Sequence, residues 1–117
     1  MTYISGYEGT FNPAVAAVIA NTEQESSAIN LAGRNFCGIY LPAAFTGTAL
    51  TFLASDAIDG DYLPIKVTTS GTALSYTVAQ GNYVAVNPQD FLGVNFLKVV
   101  SGSAQAAERT IKCAVKG

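Results

Sequence analysis

The sequence predicts an all-β chain: a single β-sandwich or jelly-roll domain of about eight strands with an extended N-terminal arm. Three observations predict it. Short apolar runs alternate with period two and recur at roughly ten-residue spacing. Gly, Pro, Asn and Asp punctuate the gaps between them. The run Cys37 to Ser55, CGIYLPAAFTGTALTFLAS, is apolar on both strand faces, as suits strands covered on both sides. Residues 1–25 are assigned to the arm and 26–117 to the sandwich, with no internal repeat and no second domain.

Taken in order, Met1 to Pro13 carries Tyr3, Tyr7 and Phe11 at four-residue spacing beside two glycines and a proline. Too sparse to build a core element, this stretch reads either as a tail or as a set of anchors for a neighbour's grooves. Ala14 to Ala20 mixes helix-favouring alanines with Val and Ile, and its short length makes it a strand. Tyr3, Tyr7, Phe11, Val15 and Ile19 are therefore the candidate interface residues. Asn21 to Glu25 is a polar loop, and Ser26 to Leu31 a short strand ended by Gly33.

In the central run, Cys37, Ile39 and Leu41 share one face, continued past the corner at Pro42 by Leu50, Phe52 and Ala54. Its length approaches that of a membrane helix, but the proline, glycines, threonines and alternation exclude one. Asp56, Asp59 and Asp61 bunch near an Asp59-Gly60 hairpin signal. Their spacing misses the calcium-loop pattern, so a turn is preferred to a cation site. Leu63, Ile65 and Val67 are expected inward on an edge strand, with Pro64 and Lys66 outward. Leu74, Tyr76 and Val78 alternate next, and Tyr83 to Val86 follows another turn. Asn87-Pro88-Gln89-Asp90-Phe91 reads as one capped helical turn. Val94 to Val100 is a strand apolar on both faces apart from Asn95 and Lys98. Arg109 to Lys116 closes the domain with Ile111, Cys113 and Val115 inward.

At 117 residues the chain can bury about two-thirds of its unfolded surface without a disulfide or metal. Charged residues make up only 12%, about half the usual share, and apolar residues 50%. So few charges point to a surface partly buried in partners. Six scattered basic residues and a net charge of −2 give no nucleic-acid footprint, and no secretion signal or membrane segment is expected. Cys37 and Cys113, both on inward parities, read as reduced core thiols.

Chemistry is scarce. Histidine is absent, which removes the commonest general base and metal ligand. No nucleophile elbow or phosphate loop is visible, and nothing selects a catalytic pair from the eight carboxylates. The expectation is a non-enzyme with no cofactor and no metal.

Several segments together resemble a family of small bacteriophage virion proteins. They are Ser27 to Gly33, GIYLPAAFTGTALTF over Gly38 to Phe52, and the Ser55, Asp56, Asp59, Gly60 hairpin. Asn87 to Phe91 and FLKVVSGSAQAAERTIK over Phe96 to Lys112 complete the set. The resemblance implies a head decoration (cement) protein of jelly-roll or sandwich fold that ties neighbouring major capsid subunits together. It implies a homo-oligomer, dimer or trimer, on the capsid surface of a particle assembled in the host cytoplasm. The alternatives are a carbohydrate- or receptor-binding module of a tail fibre, using Tyr40, Tyr62 and Tyr83, or a tail or baseplate component.

Overall fold

A strand with one apolar face must lay that face on another element, and two sheets can satisfy each other. The computed structural model describes residues 12–67 and 71–117. Its strands are β1 (Val15–Ile19), β2 (Ile29–Asn30), β3 (Asn35–Tyr40), β4 (Ala49–Ser55), β5 (Leu63–Pro64) and β6 (Lys66–Val67). They continue as β7 (Thr72–Ala73), β8 (Ser75–Thr77), β9 (Tyr83–Ala85), β10 (Phe96–Ser101) and β11 (Arg109–Lys116). One antiparallel sheet has the order β1-β11-β3-β9. The other has β2-β10-β4-β5, with β8 pairing the start of β4. The chain steps repeatedly from one sheet to the other, giving an all-β sandwich; β6 and β7 form a separate hairpin.

Between the sheets lie Ala17, Ile19, Phe36, Ile39, Ile111, Cys113 and Val115 from the first and Leu50, Phe52, Leu97 and Val99 from the second, all almost wholly buried. Phe91, on the 3-10 turn Pro88–Phe91, wedges between them. Its ring meets Phe36 at 4.7 Å and Phe52 at 5.0 Å, both edge-on. The turn forms as its sequence dictates: Asn87 Oδ1 accepts from Gln89 N at 3.1 Å, and Pro88 opens the helix. Tyr76 steadies it from β8, donating to Asp90 Oδ2 at 2.6 Å and accepting from Asn87 N at 3.0 Å.

Three expectations change. Cys37 does not share the inward face of Ile39 and Leu41. Gly38 pairs with Ala114 but Phe36 with Val115, so Cys37 is an extra residue in β3, a bulge that reverses the parity before it. Phe36 is thereby fully buried, and Cys37 only half so.

The arm is also shorter than residues 1–25. Val15 to Ile19 pairs along β11 from Cys113 to Arg109, with Ala17 and Ile19 fully buried. Thr22 and Ser26 donate to Gln105 O and Val99 O, so residues 15–26 belong to the sandwich. Ile19 and, in part, Val15 spend their apolar surface on this chain's own core, and Ile19 is withdrawn as an interface residue. Tyr3, Tyr7 and Phe11 lie outside the described residues.

Of the expected inward row after the aspartates, Ile65 packs against the core but Leu63 and Val67 do not. Leu63 is 65% and Val67 40% exposed, because β5 pairs with only two residues of β4 and the chain then leaves the sandwich as the β6–β7 hairpin. The hairpin signalled by Asp59-Gly60 is present as the antiparallel β4–β5 pair, with a connection of residues 56–62. Ser55 Oγ organises it, accepting from Ala57 N and donating to Ala57 O at 2.7 Å.

One anchor has no apolar signal. Gln105, in the small-residue loop before β11, is 1% exposed. Its Oε1 accepts from Thr46 N at 2.9 Å, and its Nε2 donates to Thr46 O at 2.7 Å and Ser101 Oγ at 3.0 Å. Its backbone bonds Glu23 O and Thr22 N, so one residue joins three segments distant in sequence. Gln105→Ala strands several of these groups, and urea unfolding should show a loss of about 2–4 kcal/mol. A loss under about 0.5 kcal/mol would mean the network is replaceable by water.

Candidate functional site

Where a sandwich keeps its apolar groups outside, the exposed ones carry the information. Two surfaces stand out, one on each sheet. On the outer face of the first sheet, Tyr40 ends β3 and Tyr83 begins β9 directly opposite it. Their rings lie 4.6 Å apart and are each about half exposed. They sit together because Gly38 leaves room: a Cβ there would fall 1.9 Å from the Tyr83 hydroxyl. Beside the pair runs an open groove of about 540 Å³ lined by Ala14, Tyr40, Leu41, Pro42, Thr110 and Lys112. Burial of Tyr83 raises its pKa above the ordinary value of 10.0, with smaller contributions from Tyr40 and Cys37. The groove thus offers aromatic rings, an apolar floor and one ammonium group. Tyr62, the third tyrosine of interest, lies elsewhere, its ring under Lys98 Nζ at 4.5 Å and its hydroxyl donating to Ile58 O.

The second surface surrounds the β4–β5 connection. Leu63 and Leu92 are each about two-thirds exposed and line an open groove of about 470 Å³ with Ala54, Val94, Asp56 and Asp61. Ile58, 56% exposed, stands in the same loop. Lys98 is engaged by Glu25 at 2.8 Å, and neither Asp56, Asp59 nor Asp61 takes part in an ion pair among the described residues. This surface is apolar with an acidic border. Sequence reasoning missed it, since Leu63 was expected inside and Leu92 follows the capped turn with no signal of its own.

Reactive chemistry does not converge at either place. Among the described residues no three His, Cys, Asp or Glu side chains come close enough to hold a metal, and no helix is long and apolar enough to cross a membrane. Both thiols are free. Burial pushes Cys113 from 9.0 up to about 12, so it is an inert packing thiol. No family model, no curated protein and no solved structure matches this chain.

Three measurements test these assignments. Alkylation at pH 8 should modify half-buried Cys37 well before Cys113, with Cys113 reacting only on unfolding; equal rates would contradict its burial. Because folded Cys113 keeps its proton to about pH 12 and the unfolded thiol releases it near 9.0, stability present below pH 9 is lost as pH rises toward 12. Cys113→Ala should flatten that fall. Separately, Gly38→Ala should displace Tyr83, cost about 1–3 kcal/mol and alter the near-ultraviolet tyrosine dichroism.

Proposed function

We propose that this chain is a structural component of a bacteriophage particle, a head decoration (cement) protein that binds the outer capsid lattice and bridges neighbouring major capsid subunits. The observation that carries the reading is the presence of two separate apolar surfaces on one small sandwich. A protein that ties neighbours together needs at least two contact patches, whereas a catalyst needs one pocket with convergent reactive groups. The low charge content and the resemblance of the central and C-terminal segments support it further. On this reading the chain works by burying roughly 1,000 Å² or more at each contact, repeated over a lattice, as a homo-oligomer at the capsid surface.

The alternative is a carbohydrate- or receptor-binding module of a tail fibre. One specific observation favours it: the half-exposed Tyr40–Tyr83 pair beside an open groove, an arrangement on which a sugar ring can stack. Glycan-array binding that disappears in Tyr83→Ala would decide for that class.

Antibody raised against the chain, applied to purified particles whose genome encodes it, should label heads. Labelling of tails selects the tail reading, and absence from particles removes both. Removal of residues 1–11 should weaken head binding and leave the free energy of unfolding within about 0.5 kcal/mol of wild type. Removal of residues 1–20 is a different experiment. It strips β1 with Ala17 and Ile19 from the core and should unfold the domain.

A further inference from the structure

The two apolar surfaces differ in sign. Among the described residues, the groove on the first sheet is bordered by Lys112 and has no acidic group in its lining, and the groove at the β4–β5 connection is bordered by Asp56 and Asp61 and has no basic one. Lys112, Asp56 and Asp61 form no ion pair within the described chain. Each surface therefore has exposed apolar groups and an uncompensated charge, and each is the electrostatic complement of the other.

We infer that these surfaces bind each other between copies: the Leu63–Leu92 surface of one chain docks on the Tyr40–Tyr83 groove of the next, head to tail. The alternative self-contacts are disfavoured by their charges. A two-fold contact through the first groove sets Lys112 near its own copy, and one through the second sets Asp56 and Asp61 against theirs. Only the mixed contact covers both apolar patches while pairing ammonium with carboxylate. Such a contact is heterologous, so it closes into a ring or propagates along a lattice rather than stopping at a dimer. Lys98, whose ammonium lies over the ring of Tyr62 in the β4–β5 connection, is occupied by Glu25. The acidic border is left for an outside cation.

Which surfaces meet is tested with the purified chain, without any particle. Absence from virions would remove the coat reading and leave this one standing; a chain that does not self-associate in solution would remove this one and leave only the capsid-binding part of the coat reading.

The experiment is sedimentation velocity over a concentration series with the full chain, Lys112→Glu, Asp61→Lys, and an equimolar mixture of the two variants. Both positions are exposed, so thermal unfolding of each variant should match the full chain. The full chain should associate reversibly, more weakly at high salt. Each variant alone presents like charges at the contact and should associate at least about tenfold more weakly. The mixture should recover association, because the unchanged Lys112 groove of Asp61→Lys meets the unchanged Asp56 and Asp61 surface of Lys112→Glu. Leu92→Ser should weaken association without changing unfolding. A full chain that stays monomeric at every concentration overturns the inference, as do single variants that associate like wild type or a mixture no stronger than its parts.

Discussion

The contact between Phe36 and Phe91 carries the architecture. Phe36 belongs to the first sheet, Phe52 to the second, and the Phe91 ring stands between them, edge-on to both. Edge-to-face packing at such distances adds to the burial of three large side chains, so the inner faces of the sandwich are joined at an aromatic centre rather than by aliphatic packing alone. A backbone bulge and a set of polar contacts position those rings. The bulge at Cys37 turns Phe36 inward, the Asn87 cap and Pro88 set the turn that carries Phe91, and Tyr76 ties that turn to β8 through Asp90 and Asn87.

A second joint does for the loops what the aromatics do for the sheets. The sandwich contains few charges, yet its crossings are not loose, because buried neutral groups replace ion pairs there. Gln105 satisfies both backbone groups of Thr46, and Ser26 Oγ accepts from Val99 N at 2.9 Å inside the core. Neutral hydrogen bonds need no charge desolvation, so they can be placed in an apolar interior at lower cost than a salt bridge. The one ion pair among the described residues, Lys98–Glu25, is part-exposed and contributes little to stability. That economy of charge inside the fold explains why the few surface charges, Lys112 and the aspartates of the β4–β5 connection, are free to face outward unpaired.

Those outward charges sit beside the apolar groups that the fold does not use. The sandwich closes without Tyr40, Tyr83, Leu63 or Leu92, and a chain with so low a charge content exposes them in two patches rather than scattering them. A surface of this kind suits a protein whose work is contact. The mechanical reading and the head-to-tail inference both start from that single feature, but they make separate demands: one on where the chain is found, the other on which patch meets which.

Strand period and turn chemistry, both local, were legible in the chain by itself. The alternation of Ile111, Cys113 and Val115, the buried pair Leu50 and Phe52, the corner at Pro42 and the capped turn at Asn87 all follow from neighbours within a few residues, which is the range over which such signals act. The all-β sandwich follows from those pieces. Three things depended on partners distant in sequence. A bulge needs an opposing strand to be defined against, so the burial of Phe36 over Cys37 was settled by β11. The exposure of Leu63 and Val67 followed from how little of β4 remained for β5 to pair with, and the role of Gln105 from a loop 59 residues away. Alternation states that a residue has a side; only the folded sheet decides which side is wet, since burial is a property of what lies opposite.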